Sequence, residues 1–163
     1  DEPVERTLAE LPRYAVDYTE LLEKYAPNIT TESGPAYILP QNNLPTTTVK
    51  ITVENAHLLA AHFGWLLNTL ADYAPVIAMV MDGKAVAVCF CSRLTARVAE
   101  AGVYTVAAYR GHGHAMETVR QWSQEVYASG RQPLYETSWT NYASQAVARK
   151  LGAVQYGVHY SIR

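Results

Sequence analysis

The period of the apolar positions changes several times along the chain, and each change marks a new element. Residues 5 to 25, ERTLAELPRYAVDYTELLEKY, carry apolar side chains at helical spacing. Pro12 is placed to start or kink a helix, so one or two N-terminal helices are expected. GPAYILP (34 to 40) is a short apolar run bracketed by Gly and Pro. TTVKITV (47 to 53) alternates Val49, Ile51 and Val53 with polar neighbours. Both read as short strands. From Asn55, NAHLLAAHFGWLLNTLADYAP puts Leu58, Leu59, His62, Phe63, Leu66, Leu67 and Leu70 on one face of an expected amphipathic helix. Asn55 is its candidate N-cap and Pro75 its stop.

The pattern then turns to β. Two β-rich runs from 76 to 93 flank Asp82-Gly83, the dipeptide that supplies the positive φ angles of a tight hairpin turn. EAGVYTVAAY (100 to 109) is a further strand. A helical stripe follows through Ala115, Met116, Val119, Trp122, Val126 and Tyr127, closed by Gly130 as a C′ glycine. QPLYETSW (132 to 139) reads as a strand, NYASQAVARKLG (141 to 152) as a short helix ending at Gly152, and residues 153 to 163 as a last strand or a bent pair of strands. Trp65 and Trp122 are expected to anchor the core.

At 163 residues with no break in composition, the chain is expected to form one domain. Apolar residues make up 49% and charged residues 17%, a globular balance. A formal net charge of -2 without like-charge blocks leaves no electrostatic footprint for nucleic acid or an anionic membrane, so small molecules are the expected partners. No apolar run approaches the ~20 residues that span a bilayer. The opening DEPVERTLAE is acidic where a signal peptide is basic, and a cytoplasmic location is expected. Cys89 and Cys91 share one face of a strand, poor geometry for a mutual disulfide, and are expected as free thiols.

Tyr-Arg-Gly-His-Gly-His-Ala, residues 109 to 115, lies at a strand-to-helix junction. A helix N-terminus leaves backbone N–H groups unpaired and partly positive, so a glycine-rich turn feeding one is an anion cradle. On these residues alone, a plain turn remains open. A P-loop requires Gly-Lys-Ser/Thr, and Gly113-His114-Ala115 stands there instead. A dinucleotide fingerprint, and with it an oxidoreductase, fits in part: Glu136 lies about 20 residues on, but Met116 stands where a third glycine belongs. The cysteines and His112/His114 form no zinc spacing, and no metal is expected. His57, His62 and His159 read as surface or half-buried residues.

The remaining pattern is the acyl-CoA cradle, Arg/Gln-x-x-Gly-x-Gly/Ala, here Arg110-Gly111-His112-Gly113-His114-Ala115. Together with the hairpin, the strand GVYTV, the strand LYETSW and the closing Asn141…Lys150-Leu151-Gly152, it resembles the GNAT superfamily of acyl-CoA-dependent N-acyltransferases. The resemblance covers residues 55 to 163; residues 1 to 54 match loosely. It implies an α/β (α+β) fold, a mixed and mostly antiparallel sheet with helices on both faces. The sheet is splayed between the family's fourth and fifth strands, here the runs at 100 to 109 and 132 to 139.

The resemblance further implies acetyl-CoA as co-substrate and direct attack by a primary amine of a small molecule or peptide. Homodimers are common in the superfamily, so a homodimer is the assembly to test. The implied cofactor contacts are Tyr104, Thr105 and Val106 along the pantetheine arm, Arg110 to Ala115 at the diphosphate, and Asn141 and Ser144 on the last helix. A lysine-like amine is neutral in only about one molecule in a thousand at pH 7, so a base matters. Glu100 is the candidate, ahead of Glu136 and His114. The superfamily's thiol-protonating tyrosine falls on Ala148 and its phenylalanine on Ala153. Water held by Ser144 is one substitute for the missing acid, with Tyr104 and Tyr142 behind it. The same gap motivates a second reading, a non-catalytic acyl-CoA-binding module.

Overall fold

The computed structural model of the chain describes residues 9–163. Residues 5 to 8 of the first expected helix lie outside them. The described part of that helix, α1, spans Ala15–Glu23. The Ala15 N–H donates to the Pro12 carbonyl, so the proline precedes the helix. Seven strands follow: β1 Thr31–Ile38, β2 Val49–Ile51, β3 Val76–Met81, β4 Lys84–Leu94, β5 Val98–Thr105, β6 Gln132–Glu136 and β7 Val154–Ile162. Helices α2, His114–Ala128, and α3, Tyr142–Lys150, flank β6. The strands form one sheet in the order β2-β3-β4-β5-β6-β1-β7. Every pair is antiparallel except β5–β6, whose parallel alignment requires the α2 crossover between them.

The β3–β4 hairpin turns through Asp82 (φ 49°) and Gly83 (φ 71°), as the Asp-Gly pair predicts. Alternation along these strands sorts the core onto two faces. Ile77, Cys89, Cys91 and Ala99 pack with Val119, Trp122 and Val126 of α2 and with Ala148 of α3. Val76, Ala78, Val88 and Phe90 pack on the other face against Leu59, Phe63 and Leu66. Both cysteines are free and buried, and burial pushes the Cys89 thiol well up.

The second face carries the main corrections. The expected helix from Asn55 to Pro75 consists of two short 3-10 turns, Ala56–Leu59 and Gly64–Leu66. The periodicity identified the residues that turn inward but not the conformation. Asn55 does not cap a helix, because its side chain accepts from the Thr52 N–H and donates to the Lys50 carbonyl. Gly64, Asn68, Thr69 and Asp72 are weak helix formers, and a continuous helix here would run about 30 Å past a patch only three strands wide. Trp65 is 48% exposed, whereas Trp122 is fully buried. Trp65 therefore caps the edge of the second face, with edge-on contacts to Phe90, Tyr73 and Tyr104. The strand expected over 100 to 109 ends at Thr105, and residues 107 to 109 form a 3-10 turn.

Candidate functional site

Parallel pairing between β5 and β6 runs only from Val98↔Gln132 to Glu100↔Leu134. Beyond it β5 stays on β4 as far as Thr105↔Ala87, while Tyr135 and Glu136 of β6 pair with Tyr37 and Ala36 of β1. The strands therefore part at Glu100, and a cleft opens on each side of the gap.

The first cleft, about 470 Å³, is lined by Val103, Tyr104 and Thr105 of β5, by Arg110 to Met116 except His112, and by Ala143, Ser144, Ala146, Val147 and Lys150 of α3. Tyr109, Tyr135 and Asn141 complete it. At its mouth Gly111 (φ 80°) and Gly113 (φ 83°) adopt the left-handed conformation that L side chains rarely enter, and a Cβ on either would point into open space. Gly113 is the N-cap residue of α2 and supplies no capping side chain. The N–H groups of Gly111, His112, Gly113, His114, Ala115 and Met116 find no acceptor among the described residues. They are free donors at the positive end of a helix. The lining also carries Arg110 and Lys150 and no carboxylate. The chemistry of this donor set fits a diphosphate. His112 and His114 stack ring on ring at 5.8 Å, and Arg110 folds its Nε–H onto the Thr105 carbonyl at 3.2 Å.

The second cleft, about 360 Å³, has the opposite character. Glu32, Glu100 and Glu136 line it, with Arg93, Arg163, Ser92 and His159. Arg93 bridges two of the carboxylates, at 3.3 Å from Glu100 Oε2 and 2.9 Å from Glu136 Oε1. The Ser92 hydroxyl lies 3.1 Å from Glu100 Oε1. His159 Nδ1 stands 3.8 Å from Glu136 Oε2, and its Nε2 is 3.2 Å from the Thr137 carbonyl. Burial raises the Glu100 pKa, the neighbouring Glu136 charge raises it further, and Arg93 and Ser92 oppose both. A carboxylate held this way binds a proton more readily than an exposed one.

The two clefts share Val103, Tyr104, Tyr135, Asn141 and Ser144, so they meet through the gap. Of the residues singled out from the sequence, Tyr104, Thr105, Arg110, Gly111, Gly113, His114, Ala115, Asn141 and Ser144 line the first cleft. Val106 and His112 lie beside it without lining it, and Glu100 and Glu136 sit in the second. Asn141 has a structural task as well, since its Oδ1 accepts from the Ser144 N–H at 3.0 Å and caps α3. Ala148 is fully buried in the main core cluster and does not border either cleft. Tyr142 is exposed and lines neither cleft.

Sequence reasoning missed Tyr135, Arg93 and the site position of His159. Tyr135 is one of twelve tyrosines, and only strand alternation in Leu134-Tyr135-Glu136 separates its face from that of Glu136. Among the described residues no group of three or more His, Cys, Asp or Glu side chains is arranged to hold a metal, and no helix is long and apolar enough to cross a membrane.

No protein-family model matches the chain, and no curated protein matches it. Solved structures do. A GNAT-family protein from Novosphingobium aromaticivorans superposes with a TM-score of 0.62 at 21% identity, over 83% of this chain and 66% of that one. A GCN5-related N-acetyltransferase-like protein from Streptococcus suis gives 0.67 at 17% identity, over 90% and 68%. A GNAT-family acetyltransferase from Colwellia psychrerythraea gives 0.61 at 18% identity, over 90% and 60%. This chain spans between 60% and 68% of the length of those three. Likeness at such identities shows a shared fold.

Proposed function

Starting from the GNAT fold of this chain, we propose that it is an N-acetyltransferase that moves an acetyl group from acetyl-CoA to a primary amine of a small molecule or peptide. The observation that carries the reading is the pair of clefts of opposite chemistry that meet where β5 and β6 part. The anion-seeking cleft, with its free N–H donors, Arg110 and Lys150, suits the diphosphate and arm of coenzyme A. The carboxylate-lined cleft suits an amine.

Bound acetyl-CoA supplies an activated acyl carbonyl. The protein's own residues do the rest. Gly111, Gly113 and the first turn of α2 hold the diphosphate, which directs the arm along β5 toward the gap. The unpaired edge of β5 past Glu100 offers backbone N–H groups to the thioester oxygen, where negative charge develops. Glu100 takes the proton that an ammonium must lose before its nitrogen attacks. Its raised pKa brings it nearer the operating pH, where a base combines proton affinity with a populated ionised form. Arg93 and Ser92 hold its two oxygens in place. The whole described chain acts as one acetyltransferase domain.

Release of CoA thiol, followed against a panel of amines, tests the proposal. Turnover on at least one amine, lost in Glu100→Gln with CoA affinity unchanged, is the expected result. The buried alanine at 148 favours a second reading, an acyl-CoA-binding module without turnover. Tight CoA binding with no thiol release on any amine supports that one.

A further inference from the structure

Tyr135 of β6 and Ser144 of α3 are joined hydroxyl to hydroxyl at 2.6 Å. Both line the first cleft and the second, so this pair stands at the passage between them. Tyr135 is only 4% exposed, and its ring belongs to the same buried cluster as Ala148. A large side chain at 148 would therefore have to displace packed neighbours in that cluster. The Ser144 N–H is committed to Asn141, which fixes the serine at the start of α3 and leaves its hydroxyl for Tyr135 and the cleft.

From this geometry we infer that the Tyr135–Ser144 hydroxyl pair donates a hydrogen bond to the sulfur that departs from the acyl group, supplied from β6 in place of a side chain at 148. The inference rests on the acyl-CoA reading above. Burial pushes the Tyr135 phenol up to about 12, so it stays neutral and keeps its proton as a donor. A free thiol titrates near 8.5, about 3.5 pK units lower, so outright transfer of the phenol proton to a thiolate is uphill. The pair therefore acts by stabilising charge. Glu100 passes the ammonium proton on to solvent, the neutral nitrogen bonds to the acyl carbon, the bond from carbon to sulfur breaks with its electrons moving to sulfur, the second nitrogen proton goes to Glu100, and solvent later protonates the thiolate. No proton leaves Tyr135 for good.

A donor aimed at sulfur also lowers the pKa of the thiol of bound CoA, a readout that needs no turnover. Thiolate ultraviolet absorbance, followed against pH for CoA bound to the wild type, should show the thiol more acidic than in free CoA by about 10- to 100-fold in its dissociation constant. In Tyr135→Phe, and independently in Ser144→Ala, most of that shift should disappear, read with CoA at saturating concentration so that the thiol observed is the bound one. Glu100 and Glu136 oppose a thiolate while Arg110 and Lys150 favour it, and His159 lies across the gap beside Glu136. All five stay in both variants, so the difference isolates the hydroxyls. The acyl-transfer rate of Tyr135→Phe should also fall more for acetyl-CoA than for a thioester with a more acidic leaving thiol. An unshifted thiol in a wild type that binds CoA overturns this inference alone, as does the same shift in both variants. Failure of the wild type to bind CoA overturns the acyl-CoA reading and this inference with it.

Discussion

Gly113 and Gly83 offer a matched pair of perturbations. Each has a positive φ, 83° and 71°, and an added Cβ at either meets nothing within 4 Å. Replacing either by alanine imposes the left-handed conformation on an L residue, which costs about 1–2 kcal/mol. For a chain of this length that loss lowers Tm by roughly 2–8 °C in both variants. Only Gly113 stands at the mouth of the first cleft, beside the free N–H groups that precede and open α2. There a methyl group holds a diphosphate away from the backbone. Each N–H bond to a charged oxygen is worth about 1.5–3 kcal/mol, and losing two of them costs about 3–6 kcal/mol. Gly113→Ala should therefore weaken CoA binding about 10²- to 10⁴-fold, and Gly83→Ala should leave it unchanged. Calorimetric titration of wild type and both variants, each with its melting curve, checks the pair. Equal CoA affinity in Gly113→Ala and Gly83→Ala refutes the placement of the diphosphate.

Glu100→Gln should lower kcat/KM by about 10²- to 10⁴-fold with CoA affinity unchanged, measured by thiol release and titration. The same variant bears on stability. A carboxyl whose folded pKa lies above its unfolded value stabilises the fold below the unfolded value, and that contribution is lost as pH rises through the folded pKa. Glu100→Gln should therefore melt higher than wild type at neutral pH, with the advantage shrinking toward pH 4. Glu136→Gln removes a charge that raises the Glu100 pKa, so the acidic limb of the kcat/KM profile should move to lower pH. A limb that stays in place removes Glu100 from the mechanism. Ala148→Tyr, which installs the residue the GNAT motif expects, should destabilise by about 1–3 kcal/mol on melting, because the site is fully buried. Asn141→Ala should lower stability by about 1 kcal/mol through the lost α3 cap.

The elements that could be read in the sequence were those whose local chemistry matches their tertiary role. Asp82-Gly83 needs positive φ and makes a hairpin, Gly130 and Gly152 end their helices with positive φ, and Asn141 caps α3. The run from Asn55 to Pro75 misled because a stripe of Leu59, Phe63 and Leu66 reports which side chains turn inward, and 3-10 turns satisfy that stripe as well as a helix does. Trp65 misled for a related reason, since its size suggested the core while the sheet edge places it against exposed Tyr104. The first cleft was largely legible because backbone donors depend on glycine, and glycine is visible. The second cleft was not. Arg93, Glu136 and His159 come from three strands whose approach depends on β6 staying paired with β1 where it parts from β5, and no local pattern encodes that parting.

The most direct measurement is an amide proton–nitrogen correlation spectrum of the protein titrated with coenzyme A. The N–H signals of Gly111, Gly113, His114 and Ala115 should show the largest displacements, downfield as they take up charged acceptors, and adenosine without phosphates should not reproduce them. Saturation with CoA while those four signals stay in place, or no response to CoA at all, would contradict the account.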